Sequence, residues 1–132
     1  MTVFCTYCSA EKDRLEGDLP AIQRYQSNRI KSVYAAAMSL GLKFLILSGK
    51  YGILEPSDKI PYYNHLLQSS EVSEHSKRVA VQLEALGVKD IIFFARSFSD
   101  DDNLKPYFDC IINASQKAGI ELKCVDLPTN ET

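Results

Sequence analysis

The sequence predicts an α/β protein, a single Rossmann-like three-layer domain with roughly four mostly parallel strands in β-α-β-α-β-α-β order. Two observations carry this expectation. Short β-branched and aromatic runs recur along the chain: Thr2 to Cys5 (TVFC), Phe44 to Leu47 (FLIL), Ile91 to Phe94 (IIFF) and Leu122 to Val125 (LKCV). Between them lie longer stretches whose apolar residues return at spacings of three and four, the period of one helical face. Strands alternating with helices build a parallel sheet flanked by those helices and joined by right-handed crossovers.

The elements follow in order. TVFC reads as the first strand, and the polar stretch Tyr7 to Leu19, punctuated by Gly17 and Pro20, as a loop. From Pro20 onward, Ile30, Val33, Tyr34, Ala37 and Met38 share one helical face. Pro20 suits a first turn and Gly41 a C-terminal cap, which predicts one helix of about five turns. FLIL is continuous rather than alternating, as in a strand covered on both faces. Leu47 to Leu67 then spends Gly49, Lys50, Tyr51, Gly52, Pro56, Pro61, Tyr62 and Tyr63 on a long irregular connection. Val72, Ser76, Val79, Ala80, Leu83 and Leu86 predict a second helix, capped by Ser69 or Ser70 and stopped at Gly87. IIFF is a third buried strand. Asp100, Asp101, Asp102 and Asn103 precede a third helix through Leu104, Tyr107, Phe108, Ile111 and Ile112 that closes at Gly119. Helix capping and the helix dipole account for that acidic run without a metal. LKCV is the fourth strand. No repeat or linker divides the chain, which reads as one domain over 1–128 with a frayed tail over 129–132.

At 132 residues, 45% hydrophobic and 24% charged, the chain can bury a core without disulfides or a structural metal. A formal net charge of -2 and a pI near 5.7 argue against a large basic surface that would hold nucleic acid by counterion release, and leave a local basic cluster open. FLIL is far too short to span a bilayer and the N-terminus carries no signal pattern, so the expectation is a cytoplasmic protein with no membrane contact. Cys5 and Cys8 form a CxxC, but Cys110 and Cys124 offer no second close pair, and His65 and His75 lack ligand spacing. Cys5, Cys110 and Cys124 are read as small buried apolar residues, and Cys8 is kept as a candidate.

In parallel sheets, ligands bind outside the carboxyl ends of the strands. The loops after TVFC, FLIL and IIFF should therefore open on one edge, with cations, hydroxyls and aromatic faces that suit a planar anionic ligand such as a nucleotide. Gly49 and Gly52 around Lys50 and Tyr51 would let backbone N–H groups face an anion, with Ser48 and Lys50 adding a hydroxyl and a charge. The alternative is architectural: glycines turning the chain and tyrosines packing on the sheet edge. No Walker A, GxGxxG or GxSxG pattern is present, and no cofactor or metal is assigned.

The segments CSAEKD, LPAIQRYQSNRIKSVYAAA and LILSGKYGILEPSDKIPYYNHLL resemble a family of small α/β domains of unknown function. Its marks are a cysteine-and-lysine N-terminal loop, a Tyr-x-Ser segment opening the first helix and an LSAKYGLL-P-D-I-PY loop. A related loop occurs in the longer YaaA-type peroxide-stress proteins, which are associated with DNA binding, and similar domains look connected to proteins of tRNA and DNA guanine modification. The resemblance covers roughly the first half of the chain and matches Cys8, Lys12, Tyr25, Ser27, Arg29, Ser48, Lys50, Tyr51, Gly52, Pro56, Asp58, Pro61 and Tyr62. It implies a binding site at these positions and no established reaction.

The leading expectation is recognition of a nucleotide, modified nucleobase or nucleic-acid end. Lys12, Arg29 and Lys50 would hold phosphate, Tyr51 or Tyr62 would stack, and Cys8, Tyr25, Ser27, Ser48 and Gly49 would complete the site. A catalytic version would act on an N-glycosidic bond through Asp58 or Glu55. The rival is a non-enzymatic stress- or defence-associated module that needs the pocket but no titrating carboxylate. A third reading is thiol chemistry at Cys8, with Lys12 favouring the thiolate. Exposed sheet edges make a homodimer an open expectation.

Overall fold

β1 (Thr2–Tyr7) runs through the middle of the sheet in the computed structural model, which describes residues 1–128; the tail expected over 129–132 lies outside the described residues. The chain continues through β2 (Leu19–Pro20), α1 (Ala21–Arg24), α2 (Asn28–Ser39), β3 (Lys43–Ser48), β4 (Gly52–Leu54) and β5 (Lys59–Ile60). It ends with α3 (Val72–Ala85), β6 (Asp90–Ala95), α4 (Lys105–Ala118) and β7 (Glu121–Asp126). Sheet order is β4-β3-β1-β6-β7. β3, β1, β6 and β7 are parallel, and β4 is antiparallel at one edge. The expected Rossmann-like architecture is present, with a fifth strand inside the stretch read as irregular.

α2 covers β1 and β3 on one face, while α3 and α4 pack against each other on the other. β1 and β3 are therefore buried at every position after their first. IIFF behaves differently from the expectation. Ile91, Phe93 and Ala95 are buried, whereas Ile92 and Phe94 alternate with them and stay partly open. The cause is layer coverage, because α2 is centred on β1 and β3 and leaves β6 open on that face. β7 is largely exposed at the other edge, so Cys124 is an exposed thiol rather than a core residue, unlike buried Cys5 and Cys110.

The single long helix expected after Pro20 is broken. α1 is one turn, the backbone is extended at Tyr25, and α2 restarts at Ser27, whose Oγ accepts the Ile30 N–H at 3.2 Å. Tertiary pairing overrides helical periodicity here, since Tyr25 bridges Lys12 and the Gln26 N–H donates to the Glu11 carbonyl at 2.9 Å. At α3, the capping box is made by Gln68 and Glu71 around a short 3-10 turn, in place of Ser69 or Ser70.

Arg24 is fully buried and pairs with no carboxylate among the described residues. Its guanidinium donates to the carbonyl oxygens of Asp13, Leu15, Gly17 and Ile60. The clamp ties the first loop to the small ribbon in which β2 pairs antiparallel with β5. Arg24→Ala would leave the buried Ile60 carbonyl unpaired and release the loop carbonyls of Asp13, Leu15 and Gly17, and a loss of about 3 kcal/mol is expected in urea denaturation. A loss below about 1 kcal/mol would show that the loop does not depend on the clamp.

Candidate functional site

LSGKYGIL is a hairpin. β3 turns into β4 with Ser48 opposite Gly52, Leu47 opposite Ile53 and Ile46 opposite Leu54. Ser48 Oγ accepts the N–H groups of Lys50 and Tyr51 at 3.1 and 3.0 Å. Those amides are therefore committed within the turn, which corrects the expectation that they face an anion. Gly52 has φ +77°, a left-handed conformation that favours glycine, and Gly49 has no room for a side chain. A Cβ on Gly49 would lie 2.7 Å from Tyr107 Oη and 3.1 Å from the Leu67 nitrogen. Gln82 of α3 covers the outer edge of β4: its Oε1 accepts the Ile53 N–H at 2.7 Å and its Nε2 donates to the Tyr51 carbonyl at 3.0 Å.

Below the hairpin lies a hydroxyl network. With two amides on its oxygen, Ser48 donates to Tyr63 Oη at 2.9 Å, and Tyr63 in turn hydrogen-bonds Tyr25 Oη. Tyr25, Ser48 and Tyr63 are buried. Lys12 Nζ lies 4.5 Å from the centre of the Tyr63 ring, and exposed Lys50 lies 5.7 Å from the same ring. His75 of α3 hydrogen-bonds the Ser48 carbonyl through Nε2 at 2.8 Å, and its burial holds the imidazole below the ordinary histidine range.

The open cleft sits beside this network, at the carboxyl ends of β1 and β6. Crossovers from these two neighbouring strands leave toward opposite faces, which creates a crevice between their loops. Its volume is about 410 Å³. Cys8, Glu11 and Lys12 line it from the loop after β1, and Ser27 and Arg29 from the start of α2. Asn64 and His65 come from the second loop, and Arg96, Asp101, Asn103 and Tyr107 from beyond β6.

Arg29, 3% exposed, forms the floor. Its guanidinium stacks on the Tyr7 ring at 3.5 Å and donates to Thr6 Oγ1, the Tyr7 carbonyl and the Cys8 carbonyl. Its Nε–H remains buried without a hydrogen-bond partner among the described residues, as does the Nε–H of half-buried Arg96. Burial is the leading influence against the charged form of Arg29; Tyr7 and Cys8 oppose it, and repulsion from Arg96 adds the smallest contribution. No described carboxylate forms an ion pair with Lys12, Arg29 or Arg96. Opposite them, Tyr107 Oη accepts the Leu67 N–H at 3.2 Å and the Cys8 S–H at 3.7 Å.

The structure thus gathers Cys8, Lys12, Ser27 and Arg29 in one cleft and separates the other expected site residues from it. Tyr25, Ser48 and Gly49 form the network and turn behind it, while Lys50 and Tyr51 belong to the hairpin. Tyr62 is 40% exposed, with Arg14 over its ring at 5.3 Å. Glu55 pairs with Lys43 at 2.8 Å, and Asp58 Oδ2 accepts the Glu55 N–H at 2.8 Å; neither carboxylate lines the cleft. Arg96 and Tyr107 complete the site. The signal for Tyr107 was a hydroxyl-bearing ring on an otherwise apolar helical face.

A model of a protein family of unknown function, DUF6884, matches residues 5–123. The chain belongs to the DUF6884 family. No curated protein and no solved structure matches it significantly. The DUF6884 match spans all the cleft residues, from Tyr7 to Tyr107. No helix among the described residues is long and apolar enough to cross a membrane.

Burial raises the phenols of Tyr25, Tyr63 and Tyr107 above the ordinary tyrosine value. The native state keeps protons that the unfolded chain has lost, so stability falls as pH rises above about 10, the unfolded value. Alkaline titration should show phenolate absorbance from these residues appearing together with loss of near-ultraviolet circular dichroism. Ionisation of all seven tyrosines with the native signal intact would contradict this expectation.

Proposed function

We propose that the cleft binds a nucleotide, a modified nucleobase or a nucleic-acid-related ligand through an anionic group. The observation that carries the reading is the pair Arg29 and Arg96: two arginines on one cleft, each with a buried Nε–H lacking a described partner and neither in a described ion pair. A buried donor left unpaired costs about 1–3 kcal/mol, and phosphate oxygens would recover that loss with charge-assisted hydrogen bonds. A cleft of about 410 Å³ falls within the usual range for small-molecule sites, about 300–1,000 Å³. The resemblance of the LSGKYG to PYY segment to the YaaA-type loop supports the same placement, because that segment forms the hairpin and tyrosine wall behind the cleft.

Action on an N-glycosidic bond through Glu55 or Asp58 receives no support from their positions, since one is paired with Lys43 and the other caps a turn. This leaves catalysis by these two carboxylates without support, and it is the observation behind the second reading, a non-enzymatic stress- or defence-associated module. Thermal shifts against nucleosides, nucleotides, modified bases and short oligonucleotides test the binding reading. A ligand at ~100 times its dissociation constant should stabilise the fold by ~2.7 kcal/mol. Nucleotides should exceed their nucleosides, Arg96→Gln should weaken binding at least about tenfold, and Lys50→Ala should leave it unchanged. Equal shifts for nucleosides and nucleotides, or no shift with any ligand, would overturn the reading.

A further inference from the structure

Lys12 is the lysine that lines the cleft. Although it belongs to a loop, its backbone is fixed: Lys12 bridges Tyr25, the Asp13 N–H donates to the Arg24 carbonyl at 2.7 Å, and the Gln26 N–H donates to the Glu11 carbonyl at 2.9 Å. The Arg24 clamp holds the next turn of the same loop. The amine therefore projects from an immobilised strip rather than a wandering segment. Around Nζ are the ring faces of Tyr63 and Tyr25, at 4.5 and 5.7 Å, and the Ala10 carbonyl at 3.5 Å. No described carboxylate pairs with it.

Lysines become amine nucleophiles when partial desolvation and neighbouring cations oppose the ammonium form. Burial is the leading influence on Lys12 and lowers its pKa, with Cys8 acting in the opposite direction. Arg29 and Arg96 stand in the same cleft as potential anion holders. A fixed amine in a cleft that also carries two arginines calls for a ligand with an anionic end and an electrophilic carbon.

We propose that Lys12 condenses reversibly with the carbonyl carbon of a sugar phosphate in its open form while Arg29 and Arg96 hold the phosphate. The Nζ lone pair forms the N–C bond, and the C=O π pair moves to oxygen, which takes a proton as nitrogen loses one. The carbinolamine then takes up a second proton on oxygen and loses water, and the nitrogen lone pair completes C=N. No oxidant or reductant is consumed, and hydrolysis reverses each step. The substrate class rests on the anion-binding reading of the cleft. It deepens that reading by naming the part of a nucleotide, its phosphorylated sugar with the base removed, that would react.

The probe is ribose 5-phosphate with cyanoborohydride at neutral pH, which reduces an imine to a stable secondary amine. The full chain is mapped by peptide mass spectrometry. Lys12 should carry the main adduct, formed at least about tenfold faster than with unphosphorylated ribose. Arg96→Gln should remove most of that advantage, and Lys12→Arg should leave only slow surface labelling. Selectivity for Lys12 over exposed lysines should narrow as pH approaches about 10.4, where ordinary lysines also become neutral. Labelling spread evenly over the lysines, an untouched Lys12, or equal rates with ribose and ribose 5-phosphate would each overturn the proposal. Because mapping uses the wild type, these results do not depend on any variant folding. Nucleotide-induced stabilisation without an adduct would overturn the imine alone; absence of both would remove the binding reading as well.

Discussion

The contact of Arg29 with the end of β1 is the constraint on which the site depends. A guanidinium stacked on Tyr7 and bonded to Thr6, Tyr7 and Cys8 places the first turn of α2 against the strand terminus. It also sets the direction in which the chain leaves β1. Had the long apolar periodicity after Pro20 been obeyed as one helix, this arrangement would be lost. The break at Tyr25 to Ser27 lets Tyr25 join the hydroxyl network while Ser27 caps α2 and the helix carries Arg29 beneath the cleft. One interruption in local helical preference thus connects the packing of the core to the chemistry of the edge.

The second loop serves the site differently from the first. Its glycines permit a close hairpin, and its serine satisfies that hairpin from within. Gly49 also allows Tyr107 to approach the turn, so α4, the second loop and Cys8 meet at one phenol. The polar groups behind the cleft are mostly hydroxyls and ring faces, with the cations concentrated at its mouth and floor. This division explains why the signature stretch can be essential to the shape of a site while most of its side chains do not line that site.

Much of the fold was legible in the sequence because FLIL and the helical stripes report burial directly. The C-terminal edge was legible for the same reason, since alternating strands and helices determine where loops emerge. The antiparallel β4 was hidden because its three residues, Gly52–Leu54, are stabilised by register with β3 and by Gln82, a residue distant in sequence. The incomplete cover over Ile92 and Phe94 was hidden because an apolar run does not reveal which helix lies above it. In the site, Cys8, Lys12 and Arg29 were reached from the first loop and helix start, and Ser27 through the family resemblance. Arg96 was placed on this edge with the third loop but not selected as a site residue, and Tyr107 was read only as part of a helical face; their pairing with the first loop arises from the position of β6 beside β1, which local spacing does not encode.

The Arg24 clamp has a consequence for how the first loop meets changing solution conditions. A guanidinium held by carboxylates loosens when acid protonates its partners, and exposed ion pairs weaken as salt screens them. Arg24, itself fully buried, instead grips backbone carbonyls, and these groups neither titrate nor carry a net charge. The strip bearing Lys12 is consequently anchored by an attachment that acidification and ionic strength leave largely untouched. The electrostatics of the cleft can vary with its surroundings while the scaffold presenting them keeps its shape.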